Sequence, residues 1–164
     1  VTDDFNLWPE YLKLFLVAIM MIGGCSGSTS GSFKVIRIII LLKIIMRELK
    51  NLIYPRAIFH VKVGDKTVDA DDLTNVAALT FMFMGFTALG GILLSAMGVD
   101  FTTALSATVA SLFNVGPGLG DVGAMGNYSS IPAMGKGILI LFMLLGRLEI
   151  YGVILLFLPM TWRK

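Results

Sequence analysis

From Val76 to Met97 the chain reads "VAALTFMFMGFTALGGILLSAM", with no charged side chain. As a helix rising about 1.5 Å per residue, that run is long enough to cross a hydrocarbon core of about 30 Å. Composition extends the constraint to the whole chain. Its 164 residues are 56% hydrophobic and 15% charged, against roughly 45–50% and about 25% in soluble domains. Such an excess faces lipid rather than filling a larger core. The expected fold class is an all-α integral membrane protein. The chain opens at Val1 without a signal-type basic region and reads as a piece of a longer protein. A net charge of +2 leaves no electrostatic footprint for nucleic acid. One Cys cannot form an internal disulfide, and one His beside it makes a poor metal set.

Three further apolar segments stand out: Leu7 to Ile22, Phe33 to Leu52 and Ile131 to Pro159. Between the first two lies "GGCSGSTSGS", a linker-like sequence where a membrane helix would be in mid-span. Charge decides how to read it. Arg47, Lys50, Arg56, Lys62 and Lys66 crowd one loop, and Arg163 and Lys164 close the chain. The opening "VTDDFNLWPE" and the stretch from Val99 to Pro132 hold no Lys or Arg. The positive-inside bias makes the first two regions cytoplasmic and the last two external, with Trp8 and Trp162 at opposite interfaces. The ends of the first two segments then lie on opposite sides, so they form one crossing interrupted partway. The cytoplasmic loop contains "AIFHVKVGDKTVDADD". Alternation from Phe59 to Val63, then Gly64-Asp65 and Thr67-Val68, fits either a short hairpin or a plain connection.

Asp100 suits the N-cap of a helix from Phe101 to Phe113. That helix is rich in Ala, Ser and Thr, which permit close packing. It stops at "NVGPGLG", where glycines and a proline do not continue a helix. Two readings fit. One is an external loop with a short amphipathic helix. The other is a re-entrant half-span, whose irregular backbone is tolerated at membrane depth only inside protein or along a water-filled path. In the second, backbone oxygens replace an ion's water, and the helix aims its partly negative end inward.

"GGCSGSTSG", "NVGPGLG" and "LLGRLEIYGVILLFLP", in this order and spacing, resemble the C-terminal part of TrkH-type potassium uptake proteins of the Trk/Ktr/HKT superfamily. Each motif alone is weak; together they are specific and cover essentially the whole chain. Members of that family carry four repeats of helix, pore helix, filter loop and helix around one potassium pathway. The resemblance implies residues 1–52 as the second helix of a third repeat, broken at 23–32, and 53–75 as a cytoplasmic loop. It makes 76–164 a fourth repeat: helix 76–97, pore helix 101–113, filter 114–118 and helix 131–159. The implied selectivity filter is Asn114, Val115, Gly116, Pro117 and Gly118, with K+ at the Val115 and Gly116 carbonyls. The implied intramembrane gate is Gly23, Gly24, Cys25, Ser26, Gly27, Ser28, Thr29, Ser30 and Gly31, with Arg147 nearby. Ser32 stands where relatives often have Gly. The chain would supply one of four filter walls.

The resemblance further implies potassium ion as cargo, no covalently bound cofactor and a multi-pass place in a bacterial inner membrane. It implies lipid, the remaining repeats, a homodimer mate and a cytoplasmic nucleotide-binding regulatory subunit (TrkA-like) as partners, the last on the basic loop Arg47 to Asp72.

Arg147 lies midway between Pro132 and Pro159, where a charge is costly and usually functional. It either faces the conduction path or pairs with an acid elsewhere; Glu149, two positions on, is a poor partner. Lys34 and Arg37 either snorkel or line an inner vestibule, and Lys136 snorkels. Lys13 snorkels or pairs with Glu10. Cys25 and the ten methionines suit packing. An enzyme is not expected. G-x-x-x-x-G-K-[ST] is absent, and Gly27-Ser28-Thr29-Ser30-Gly31 puts Thr at the centre of the G-x-S-x-G spacing. His60 sits far from any nucleophile. A membrane scaffold without transport would account for the spans, but not for the Gly-Pro-Gly turn or Arg147.

Overall fold

A computed structural model describes residues 4–24, 34–55, 61–63, 66–148 and 152–153. The helices are α1 (Glu10–Met20), α2 (Val35–Ile53), α3 (Ala70–Ala96), α4 (Phe101–Leu112) and α5 (Ala133–Arg147). Short 3-10 turns stand at Phe5–Leu7, Gly120–Val122 and Tyr128–Ser130.

α3 is the long member, and within it Asp71–Ala96 is long and apolar enough to cross a membrane. It starts at Ala70 rather than Val76. Asp71 and Asp72 fall in its first turn, where carboxylates interact well with the helix dipole. α4 begins where Asp100 caps it, the carboxylate accepting the amides of Thr102 at 3.1 Å and Thr103 at 3.4 Å. Although short, α4 is the buried centre. From Thr103 to Leu112 nearly every residue is buried, against α3, α5, α1 and the turn at Gly120–Val122. Its small side chains make that possible. Opposite them, a Cβ on Gly90 of α3 would stand 2.3 Å from Phe142 and 2.5 Å from Thr108.

α5 starts after Pro132, not at Ile131, because proline at the N-cap position leaves the first turn free. It reaches Arg147; Gly152 and Val153 are helical again, and the other residues after Leu148 lie outside the described ones. α1 likewise starts late, at Glu10, because the chain before Pro9 forms its own turn.

α1 and α2 meet the rest of the fold at different places. Asn6 bonds Gly120, close to the Asp100 end of α4. Met20 packs with Leu79, Phe83 and Phe113. Ile40 then packs with Leu73 near the start of α3. α1 lies on α4 while α2 lies on α3, whereas a hairpin would lay α1 and α2 along each other. Beyond α2, β1 (Lys62–Val63) and β2 (Lys66–Thr67) pair antiparallel, Lys62 with Thr67 and Val63 with Lys66. The connection is therefore a hairpin and not a plain loop; Phe59, His60, Gly64 and Asp65 lie outside the described residues. Lys43 donates to the Lys62 carbonyl, tying the ribbon to α2.

The outer faces of α2, α3 and α5 expose large apolar side chains such as Leu42, Phe81, Ile92 and Ile140. Contiguous apolar surface of this kind suits hydrocarbon or protein rather than water.

Gly90→Ala is expected to lower the stability of the detergent-solubilised protein by roughly 1–3 kcal/mol through overpacking. Gly85→Ala, where a Cβ meets nothing within 4 Å, is expected to be neutral or to gain up to about 1 kcal/mol of helix propensity. Thermal unfolding of the two variants side by side checks the contrast.

Candidate functional site

α4 ends in a tight closure. Asn114 takes a left-handed φ of 54°. Its amide donates to Ser111 at 3.3 Å, and the Val115 amide donates to Ala110 at 2.9 Å. These are the two bonds of a Schellman motif. Asn tolerates the left-handed region better than most side chains. Gly116 follows with φ 112°, a conformation that in practice requires glycine. The turn begins at Asn114, the first residue of the "NVGPGLG" stretch expected to end the helix.

The chain then returns beside α4 toward its start. Gly118 passes so close that a Cβ would stand 2.6 Å from Val122 and 3.2 Å from the Ser106 hydroxyl. Ser106 accepts the Leu119 amide at 2.9 Å and reaches the carbonyls of Leu119 and Thr103 at 3.1 and 3.2 Å. The Thr103 hydroxyl accepts the Asp121 amide at 3.3 Å. From the far end of the chain, the Asn6 side chain accepts the Gly120 amide at 2.8 Å and donates to the Gly120 carbonyl at 3.1 Å. An open polar cleft of about 410 Å³ beside this point is lined by Glu10, Lys13, Asp100 and Asp121 among others.

These bonds engage Leu119, Gly120 and Asp121 on the return segment but not the turn. Val115, Gly116 and Pro117 are exposed, while Gly118 and Leu119 are buried. Among the described residues, the carbonyls of Asn114, Val115, Pro117 and Gly118 accept no hydrogen bond. The Gly116 carbonyl accepts the Tyr128 hydroxyl at 2.9 Å, so of the two carbonyls expected to meet an ion, one lone pair is already engaged. Burial pushes the pKa of the Tyr128 phenol up, and the neighbouring Ser111 hydroxyl draws it partly back. Tyr128 therefore stays a donor at neutral pH.

The remaining expected residues fall around the α4 terminus. Gly146 brings α5 against it: a Cβ there would stand 1.9 Å from the Leu112 carbonyl and 2.6 Å from the Asn114 side-chain nitrogen. Arg147 is the next residue and ends α5. Gly24 accepts the Val35 amide at 3.1 Å, so the chain leaves and re-enters the interruption at one point. Cys25, Ser26, Gly27, Ser28, Thr29, Ser30 and Gly31 lie outside the described residues. An apolar cavity of about 130 Å³ is lined by Met21, Ile22 and Ile38 and by Phe113 at the end of α4, among others. Lys13 pairs with Glu10 at 2.9 Å, one of its two expected roles. Lys136 reaches the Ser129 carbonyl at 3.3 Å.

Sequence reasoning missed Asn6, Ser106 and Tyr128. Ser106 was hidden in a run of small residues that explained itself by packing. Asn6 lies 114 positions from its partner, beyond any local pattern. Tyr128 offered one signal, an aromatic with a polar tip in an otherwise small-residue loop.

The arrangement is that of a helical membrane protein with a buried half-length helix closed by an irregular turn. The chain matches the TrkH family, described as cation transport protein, over residues 2–164. It is 44% identical over 163 residues to the Trk system potassium uptake protein TrkH of Halomonas elongata, and 39% identical to that of Escherichia coli strain K12. Those alignments take in 98% and 99% of this chain and 33% of each relative. The crystal structure of the potassium transporter TrkH from Vibrio parahaemolyticus superposes with a TM-score of 0.88 at 39% identity. It matches 99% of this chain and 34% of its own. The chain belongs to the TrkH family, and it spans about a third of the length of these relatives.

Asn6→Ala is expected to remove both Gly120 bonds and destabilise the complete protein by about 1–2 kcal/mol. Hydrogen exchange across residues 118–123 should speed up, while exchange in α3 stays slow.

Proposed function

We propose that this chain is part of the pore-forming subunit of a potassium uptake system, with Asn114–Gly118 as one wall of its selectivity filter. The observation that carries the proposal is the exposed Val115–Pro117 turn, with carbonyls of Asn114, Val115, Pro117 and Gly118 left without hydrogen bonds. Backbone oxygens in this state are ready to replace an ion's hydration shell. The negative end of α4 points at the same place and favours a cation. Val115 and the unengaged lone pair of Gly116 are the proposed potassium ligands. The relatives are named as potassium uptake proteins, which agrees with the chemistry.

In this reading α1 and α2 form one interrupted crossing, and α3, α4 and α5 are helix, pore helix and helix of one repeat. Other repeats supply the remaining filter walls. The polar cleft at Glu10, Asp100 and Asp121 faces the external side, and the basic hairpin region faces the cytoplasm of a bacterial cell. There it meets a nucleotide-binding regulatory subunit, and the transporter pairs as a homodimer. The gating role falls to the Gly/Ser stretch from Gly23 to Gly31, with Arg147. The Val35 amide donates to the Gly24 carbonyl across the interruption, and Arg147 follows the Gly146 contact with α4. Its charge opposes cation passage unless it moves or is screened.

The test is uptake by potassium-transport-deficient cells expressing the complete transporter that carries this chain. Gly116→Ser, which strains a φ of 112°, is expected to lower potassium/sodium discrimination about ten-fold or more. Unchanged discrimination counts against the filter. Arg147→Gln is expected to raise potassium flux about two- to ten-fold; an unchanged flux removes Arg147 from the gate.

A further inference from the structure

Gly116 has little to hold its peptide plane. Its φ of 112° lies where glycine rotates without the steric walls that restrain other residues. A Cβ placed on it would meet nothing within 4 Å, so packing does not fix it. The contact that does reach it is the Tyr128 hydroxyl, 2.9 Å from its carbonyl oxygen.

Tyr128 is itself held. It opens the turn Tyr128–Ser130, where Asn127 accepts the Ser129 amide at 2.9 Å. Lys136 of α5 donates to the Ser129 carbonyl at 3.3 Å. On the other side the phenol lies beside Ser111 in the last turn of α4. The Ser111 hydroxyl is fully buried and makes no hydrogen bond among the described residues. It is close enough to affect the phenol but outside hydrogen-bond geometry.

We infer that Tyr128 is a positioning residue for ion discrimination: its hydroxyl fixes the orientation of the Gly116 carbonyl. The inference rests on the filter reading proposed above. A carbonyl held by a donor presents its remaining lone pair in one direction. Freed of the donor, it turns to suit cations of different size. Tyr128 acts through Gly116 and touches no ion.

The experiment uses the complete transporter in cells lacking other potassium uptake. Tyr128→Phe keeps the ring and removes the hydroxyl. KM and maximal rate are measured for potassium and sodium, with the amount of transporter in the membrane. The expected result is a roughly five-fold lower potassium/sodium ratio, the worth of one hydrogen bond, carried by KM at unchanged transporter amount. A purely structural role would lower both ions' rates together and leave the ratio alone. An unchanged ratio in Tyr128→Phe, with Gly116→Ser lowering it, overturns the inference and leaves the filter standing. An unchanged ratio in both variants overturns the filter reading and this inference with it. Should Tyr128→Phe fail to accumulate, difluorotyrosine at position 128 keeps ring and hydroxyl but ionises at lower pH. Its ratio is expected to fall as pH rises through that ionisation, because a phenolate cannot donate, while the unmodified protein stays flat. A flat ratio in the difluorotyrosine protein overturns the inference.

Discussion

The Ser106 hydroxyl is the interaction on which the irregular part of the molecule depends. It binds both the amide and the carbonyl of Leu119 from the middle of α4. Backbone that leaves a helix away from water must find partners within the protein, since an unpaired buried group costs free energy on the scale of a lost hydrogen bond. α4 supplies those partners sideways. Ser106 and Thr103 lie on the face along which the chain returns, and Asn6 completes the set at Gly120. Gly118 and Gly120 carry no Cβ because the space is already filled by Ser106, Val122 and Thr103. Small residues on the helix and glycines on the return are two sides of one fit. With Leu119 and Gly120 held in this way, the turn can leave carbonyls open.

Helix ends concentrate charge at the same place. The C-termini of α4 and α5 meet where Gly146 touches Leu112. Each end carries a partial negative charge, which offsets part of the cost of placing Arg147 there. The same field favours a cation beside Asn114–Gly118. In the proposed reading, Arg147 and a cation compete for one electrostatic feature, a physical basis for a charge-controlled constriction. Phe113 turns inward to the packed side, 5.3 Å from Phe83 between ring centroids, so the polar turn and the apolar support separate cleanly at the helix terminus.

Much of this was legible in the residues. Asp100 announced the start of α4, and "NVGPGLG" its end. The lack of Lys and Arg at one end, with their crowding at the other, argued against a hairpin across "GGCSGSTSGS", most of which lies outside the described residues. Boundaries were less legible where one residue type serves two purposes. Asp71 and Asp72 suit a loop and a helix N-terminus equally, and only packing decides. Gly116 and Gly118 look alike in sequence. One needs a backbone angle and the other a close approach. Least legible were Asn6 and Tyr128, whose partners are set by the folded path and not by spacing. The helical pattern of α4 likewise showed a packable helix without showing which hydroxyls would bind the return chain.

The central claim is that the open carbonyls of the Asn114–Gly118 turn hold a cation. The most direct measurement is a crystal structure of the complete transporter grown with thallium or rubidium, read by anomalous scattering. The account predicts an anomalous peak within coordination distance of the Val115 carbonyl, on the exposed side of the turn. Anomalous peaks confined to other parts of the transporter, with the turn sealed against lipid or neighbouring protein, would contradict it.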